Sequence, residues 1–189
     1  RGIAVGHDEI VLTTQDAGRT WERKRYEPEA QRPLLDVWCE AEGRAIAVGA
    51  YGAYFVSADF GVTWAAQEFE PKPVAGAQPA QPEADEFDEG ELGDPHLNRI
   101  AAASPTRLYI AAEAGHLYRS DDSGASWAVL PSPYEGSFFR ITPLGGDAVL
   151  AEDRAQVDVV QRDALRDRPA HERVFVLRIA RHDAHRVRV

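Results

Sequence analysis

The sequence predicts an all-β fold made of repeated small sheets, and three observations carry that prediction. An eight-residue pattern, Ser/Thr-x-Asp-x-Gly-x-Ser/Thr-Trp, occurs at residues 14–21, 57–64 and 120–127. Short β-branched and aromatic runs bounded by glycine precede each copy. The first two copies are 43 residues apart, which is a normal period for a four-stranded repeat.

Each copy of the pattern predicts a tight turn, which we call an Asp turn. The Asp carboxylate accepts hydrogen bonds from nearby backbone N–H groups, and the Gly allows a backbone conformation that a side chain opposes. The Trp brings a large apolar surface to the strand that follows. The residues with this structural role are Asp16, Gly18 and Trp21, then Asp59, Gly61 and Trp64, then Asp122, Gly124 and Trp127.

Predicted strands surround the Asp turns in a constant order, and we label them A to D outward from the axis of the predicted propeller. Strand A is expected at 34–39, 97–102 and 138–142, strand B at 3–6, 45–49, 108–112 and 147–151, and strand C at 9–12, 53–56 and 116–119. Strand D follows each Asp turn. Four strands per repeat are typical of a β-propeller blade, so the chain is predicted to hold about three and a half blades of an incomplete ring. We interpret it as a segment of a longer protein.

An insertion at residues 70–95 lengthens the spacing between the second and third Asp turns to 63 residues. Its second half carries seven carboxylates between Glu83 and Asp94 and no base, after a run rich in Pro, Ala and Gln. That composition indicates a solvated loop. The alternating ligand spacing of a calcium loop is missing, so no metal site is assigned to it.

The repeat pattern stops after residue 151. A fourth Asp turn is due near Asp163, but Leu165 stands at the Gly position and Arg168 at the Trp position. Residues 150–189 contain nine arginines and no lysine. We therefore assign 1–151 to the blades and 152–189 to an atypical Arg-rich tail, a decayed or frame-shifted blade. Its histidines are interpreted as part of an exposed basic tail and not as metal ligands.

The composition of the chain excludes several classes of function. The net charge of −10 argues against nonspecific nucleic-acid binding, and no apolar stretch is long enough for direct membrane insertion. The single cysteine, Cys39, excludes an internal disulfide framework, and its neighbours Val37 and Trp38 predict a half-buried strand, so that a buried, inert thiol is expected. No cofactor and no catalytic residue are predicted.

The Asp turns resemble the Asp-boxes of the bacterial neuraminidase repeat (BNR) family of β-propellers, which includes sialidases. The resemblance to sialidases would imply a Tyr nucleophile assisted by a Glu, an Asp that acts as acid and base, and three arginines that bind the substrate carboxylate. The run Phe139-Arg140-Ile141-Thr142-Pro143 differs from the family's Arg-Ile-Pro element in its inserted Thr and its position after the third Asp turn. Tyr134 and Glu135 are adjacent in sequence, whereas the nucleophilic Tyr and the assisting Glu of sialidases are not adjacent. A sialidase-like glycoside hydrolase or a carbohydrate-binding propeller is the alternative function.

A second resemblance covers residues 1–151. The segments 47–52, 96–98, 113–122 and 132–139 are similar to bacterial relatives of the photosystem II assembly and stability factor family. This resemblance implies a non-enzymatic scaffold, exported to the periplasm or a lumen, that holds a membrane-associated protein complex.

Blade geometry places the turns on two faces. A–B turns and Asp turns share one face, whereas B–C turns and D–A links share the other. On the second face the predicted partner-binding residues are His7, Tyr51, Phe87, Glu113, Tyr134 and Glu135. With the acidic insertion beside them, the expected partner is a protein with a basic surface. The alternative interpretation is that these residues are ordinary turn tips.

Overall fold

The computed structural model describes residues 1–73, 94–146 and 148–153, together with the backbone of residues 175–178. Its regular structure consists of short strands and two 3-10 turns, His7–Glu9 and Pro28–Ala30. The strands are β1 Gly2–Val5, β2 Val11–Thr14, β3 Glu22–Arg25, β4 Leu34–Cys39, β5 Ala45–Gly49, β6 Tyr54–Ser57, β7 Ala65–Ala66, β8 Lys72–Pro73, β9 Leu97–Ala102, β10 Leu108–Ala112, β11 Leu117–Ser120, β12 Ala128–Leu130, β13 Arg140–Gly145, β14 Ala148–Glu152 and β15 Phe175–Arg178.

The strands form four small sheets that follow one another along the chain. Blade 1 has the order β1-β2-β3, blade 2 the order β4-β5-β6-β7 and blade 3 the order β9-β10-β11-β12, all antiparallel. Blade 4 begins with the antiparallel pair β13-β14. This succession of blade-like meanders confirms the predicted all-β fold and partial propeller.

The core lies between the blades. Strands β5 and β10 are buried along their whole length, because each of their blades is covered on both faces. Three apolar clusters fill the spaces between successive blades, with Phe55, Ile110 and Phe138 as members of the first, second and third cluster. Burial of apolar surface between sheets is the main stabilising contribution in such a fold.

Each Asp turn is closed by the same hydrogen bonds, which the second copy illustrates. Asp59 Oδ1 accepts from the Thr63 backbone N–H at 2.9 Å, and its Oδ2 accepts from the Thr63 hydroxyl at 2.7 Å. The Ser57 hydroxyl donates to Asp59 at 2.8 Å and accepts from the Gly61 N–H at 2.9 Å. Equivalent bonds close the other two turns. Local bonds thus account for the Ser/Thr, Asp and Gly positions of the repeated pattern.

The tryptophans of the Asp turns differ in burial. Trp21 is 46% exposed, Trp64 is half-buried and Trp127 is only 6% exposed. Trp64 packs against the cluster between blades 1 and 2, and Trp127 belongs to the cluster between blades 2 and 3. Each of these two therefore packs onto the preceding blade, and not only onto its own turn and blade as the sequence predicted. Trp21 faces the side of blade 1 where the described residues supply no preceding blade.

A tyrosine of blade 2 completes the Asp turn of blade 3. In the second turn, Trp64 Nε1 donates directly to the Gly61 carbonyl oxygen at 2.9 Å. In the third, Tyr54 Oη donates to the Gly124 carbonyl oxygen at 2.8 Å and accepts from Trp127 Nε1 at 3.1 Å. The phenolic hydroxyl therefore lies between the indole and the carbonyl and couples two neighbouring blades.

Residues 66–73, which we call the strap, cross from blade 2 to blade 3. The ring of Phe69 lies 5.4, 5.0 and 5.9 Å from the rings of Tyr54, Tyr118 and Trp127, measured between centroids. Strand β8 then pairs in parallel with β12, on the outer edge of blade 3. The strap therefore extends the sheet of the blade that follows it.

The insertion at 70–95 begins and ends at different places. It leaves from the outer edge of blade 3 through β8, whereas the sequence placed it wholly on the face of the D–A links. Its last residues return to that face, where the Gly52 N–H donates to the Pro95 carbonyl oxygen at 3.2 Å. Residues 74–93, and with them the predicted contact residue Phe87, lie outside the described residues.

Cys39 is exposed, whereas the sequence predicted a buried thiol. The residue is the last of β4, one position beyond Trp38, which packs against the cluster between blades 2 and 3. Its Sγ donates to the Glu40 carbonyl oxygen at 3.4 Å. Partial burial, followed by the charge of Glu40, raises the pKa of the thiol and favours its neutral form.

Strand β15 departs from the blade pattern. It pairs with β14 in parallel, whereas strand C of the other blades is antiparallel to strand B. Residues 154–174 and 179–189 lie outside the described residues. The interpretation of 152–189 as an atypical Arg-rich tail stays a prediction.

Candidate protein-binding face

The two ends of the blades present different kinds of turn. At one end, A–B turns meet Asp turns: the Phe60 N–H donates to the Gly43 carbonyl oxygen, and the Ser123 N–H donates to that of Thr106, both at 2.8 Å. We call this end the Asp-turn face. The opposite end, which holds the B–C turns and the links that enter the next blade, is the link face.

Main-chain hydrogen bonds hold the link face together. In the link that enters blade 3, the Pro95 carbonyl oxygen accepts from Gly52 of blade 2, and the His96 carbonyl oxygen accepts from Glu113 of blade 3, both at 3.2 Å. The links into blades 2 and 4 are bonded to neighbouring B–C turns in the same way. Side chains on this face are therefore carried by backbone that is fixed across blade boundaries.

Left-handed backbone at the B–C turns determines which side chains project. Tyr51 has φ 53° and the next residue, Gly52, has φ 66°. The turn of blade 3 repeats this with Ala114 at 51° and Gly115 at 71°. A Cβ atom on Gly115 would lie 1.8 Å from the Tyr134 carbonyl oxygen, so only glycine permits this close approach. At the tip of the blade 2 turn, Tyr51 is left 59% exposed.

Tyr51 and Glu113, both predicted as contact residues, meet through a residue that the sequence did not single out. The rings of Tyr51 and His96 pack edge to face with centroids 4.7 Å apart. His96 Nδ1 lies 3.4 Å from Glu113 Oε1, and the His96 backbone N–H donates to Glu113 Oε2 at 3.2 Å. Asp94 lies against Gly52, next to the tyrosine. We call Tyr51, Asp94, His96 and Glu113 the Tyr51 patch.

The remaining predicted residues are distributed over two other blades. Tyr134 lies in the link to blade 4, where its hydroxyl donates to Asp153 at 3.2 Å and its ring packs against Phe138. Glu135 is exposed beside it, and His7 is exposed on the B–C turn of blade 1. The structure thus places the described residues of the prediction on one face, although only Tyr51 and Glu113 share a contact residue.

An ion-pair cluster beneath blade 1 was missed in the sequence. Glu9 is 1% exposed and has φ 52°, so it lies in the B–C turn and not in the strand predicted at 9–12. Its carboxylate accepts from Arg25 Nε at 3.0 Å and from Arg32 Nε at 2.7 Å. Both guanidinium groups stack over the Phe55 ring. One sequence feature could have indicated this cluster: Glu9 occupies the B–C turn position at which blades 2 and 3 have Gly52 and Gly115.

The described part of the link face is acidic. Its exposed carboxylates are Glu27, Glu29, Asp94 and Glu135, whereas Arg25 and Arg32 share the single carboxylate of Glu9. Negative charge therefore predominates among these residues.

Two further observations concern the described residues as a set. Nowhere among them do three or more His, Cys, Asp or Glu side chains converge on a possible metal position. In the same part of the chain, no helix has the length and apolar character needed to cross a bilayer.

The fold and its turns define a β-propeller built of four-stranded blades. A scan against models of known protein families finds no match, and a search of curated proteins finds none either. Among solved structures, the chain is similar to YCF48 bound to a D1 peptide, with 21% sequence identity and a TM-score of 0.51. The likeness covers 74% of this chain, which spans 40% of the length of that YCF48 chain. The resemblance to the photosystem II assembly factor family is thereby confirmed at the level of fold.

A second similar structure is YCF48 from Cyanidioschyzon merolae, at 16% identity and a TM-score of 0.30. The match covers 79% of this chain and 73% of that one.

Proposed function

We propose that the chain is a non-enzymatic propeller scaffold of the BNR type that binds a protein partner through its link face. The observation that carries the proposal is the Tyr51 patch, in which an exposed aromatic and acidic side chains stand on backbone fixed across two blades. Exposed aromatics on rigid loops are favourable anchors for protein recognition.

The similarity to YCF48 bound to a D1 peptide supports a polypeptide ligand. Following the family resemblance, we propose that the partner belongs to a membrane-associated complex and that the chain works in the periplasm or a lumen, where it assists assembly or stability of that complex. The acidic link face supports a partner with a basic surface.

Site-specific photo-cross-linking in the source cells tests the proposal. A photoreactive phenylalanine at Tyr51 reports on the link face, and the same group at Val62, which is 45% exposed on an Asp turn, is the matched control. We expect one dominant protein cross-linked from position 51 and much less from position 62. Equal cross-linking from both positions, or none from position 51, would contradict the proposal.

The alternative function from the sequence is a glycoside hydrolase. A direct enzyme assay distinguishes it from the scaffold that we propose. The purified chain should not release fluorophore from a fluorogenic sialoside above the level of a heat-inactivated sample. Measurable turnover that is lost in Tyr134→Phe would replace the scaffold proposal with an enzymatic one.

A further inference from the structure

We propose that the Tyr51 patch is a docking position for a lysine or arginine side chain of the protein partner. This inference rests on the proposed function and goes beyond it by naming four residues and the chemistry of the group they receive. It depends on three features of the patch: an exposed ring, two carboxylates in the adjoining link and B–C turn, and a rigid backbone.

The exposed ring supplies the first interaction. Tyr51 contacts the His96 ring in a T-shaped arrangement and still remains 59% exposed, so much of its side chain is open to solvent. A cation placed over a tyrosine face within about 6 Å is attracted by the ring, which strengthens binding about two- to fivefold at exposed sites. Guanidinium and ammonium groups are the cations that proteins present.

The carboxylates supply the second interaction and select for positive charge. Asp94 lies against Gly52, the residue after Tyr51, and the Glu113 carboxylate lies next to the His96 imidazole. The side chain of Glu113 is 38% exposed, so its carboxylate is accessible to a partner. The two carboxylates outnumber the single imidazole, and the patch is therefore complementary to a cation.

The rigid backbone supplies the third feature. Gly52 is bonded to Pro95, and Glu113 is bonded to His96, so the B–C turns of blades 2 and 3 are held on either side of one link. A ligand side chain that enters the patch meets groups that are already in place, which lowers the entropic cost of binding.

A peptide titration followed by two-dimensional NMR of the 189-residue chain tests the inference. The probe is the acetylated and amidated peptide Gly-Leu-Arg-Leu-Gly, and the matched control replaces its Arg by citrulline, which has nearly the same shape and no charge. We expect the Arg peptide to shift the amide signals of Tyr51, Gly52, His96 and Glu113, and the citrulline peptide to bind at least about threefold more weakly.

Three variants locate the interaction. Tyr51→Asn removes the ring, and Asn tolerates left-handed backbone, so the turn should persist while affinity falls about two- to fivefold. Glu113→Gln removes the charge, retains an acceptor oxygen for the His96 N–H, and should weaken binding by a similar factor. Glu135→Gln removes one charge from the same face outside the patch, and affinity should change less.

Three outcomes of the peptide titration would overturn the inference: equal binding of the Arg and citrulline peptides, an unchanged affinity in Tyr51→Asn, or an equal effect of Glu135→Gln and Glu113→Gln. A fourth is a concentration-dependent shift of the patch signals without peptide, which would mean that a second copy of the chain occupies the Tyr51 patch. If link-face cross-linking succeeds and the peptide test fails, the docking position is wrong and the scaffold function stands. If cross-linking from position 51 fails, the scaffold function itself is wrong.

Discussion

Asp59 keeps its charge to low pH because of its own turn. The Thr63 backbone N–H and then the Thr63 hydroxyl lower the pKa of Asp59 from 3.8 to about 2. Since this pKa lies below the value in the unfolded chain, ionised Asp59 stabilises the fold above about pH 4, and the contribution is lost as pH falls toward 2. The pKa of Asp16 is lowered to about 2 for the same reasons, with Thr20 as donor.

Asp59→Asn tests this linkage. The variant should be less stable than the wild-type chain at pH 7, and its stability should fall less between about pH 4 and pH 2. Urea unfolding followed by circular dichroism at pH 7, 4 and 2 measures both quantities. Glu68→Gln, which alters an exposed carboxylate outside the Asp turns, is the control and should keep the wild-type pH dependence. Parallel pH curves for Asp59→Asn and the wild type would refute the assignment.

The Trp residues of the Asp turns should differ in energetic weight. Trp127→Ala removes a buried indole from the cluster between blades 2 and 3, and should cost about 3–5 kcal/mol. Trp21→Ala, in the same turn position but 46% exposed, should cost less than about 1 kcal/mol. Chemical denaturation of the two variants measures the difference. Equal losses would show that the tryptophans act within their own turns and not on the preceding blade.

At the scale of elements, the Gly of an Asp turn is also a contact point between blades. Gly124 has φ 81°, and a Cβ atom there would lie 2.4 Å from Ile46 Cδ1 of blade 2. Gly18 has a similar φ of 87°, but its nearest neighbour would be Trp21 of the same turn, at 3.7 Å. Replacing either glycine by Ala would strain the backbone, because both have positive φ. Only Gly124→Ala would also bring the new Cβ atom into overlap with Ile46 Cδ1.

We therefore expect Gly124→Ala to destabilise the chain by about 1–3 kcal/mol more than Gly18→Ala. Shortening the opposing side chain in the double variant Gly124→Ala/Ile46→Val should recover part of that excess. A thermal or urea unfolding series on the wild-type chain, the two glycine variants, Ile46→Val and the double variant measures the coupling. If the two glycine variants are equally stable, the contact between blades has no energetic weight.

At the scale of the whole molecule, β1 has an open inner edge in the described part of the chain. Strands β5, β10 and β14 each pair with a strand A on that side, whereas β1 pairs only with β2. Unpaired edges favour association with other chains. The 189-residue chain should therefore sediment with a mass that rises with concentration, and a peptide of residues 97–102 should reduce the rise. A constant monomer mass would contradict this expectation.

The sequence predicted what depends on short segments of chain. The Asp59 turn is closed by residues within four positions of the Asp, so its chemistry is visible in one pattern. The contact of Tyr54 with Gly124 spans 70 positions and depends on how two blades pack, which no local pattern encodes. For the same reason the sequence found Tyr51 and Glu113 separately, but not the His96 between them, and it did not distinguish exposed Trp21 from buried Trp127.

The strap and the Tyr54 hydroxyl have a consequence for how such a protein can be duplicated or redesigned. Phe69 follows the last strand of blade 2, yet its ring packs against Tyr118 and Trp127 of blade 3. A cassette cut at the sheet boundary between blades 2 and 3 would separate both groups from their partners and leave a cavity at that junction. The self-sufficient module instead runs from the middle strands of one blade to the Asp turn of the next. Grafting experiments that move the junction of blades 2 and 3 as one module with that offset should preserve cooperative unfolding, since the copied unit then carries the complete interface.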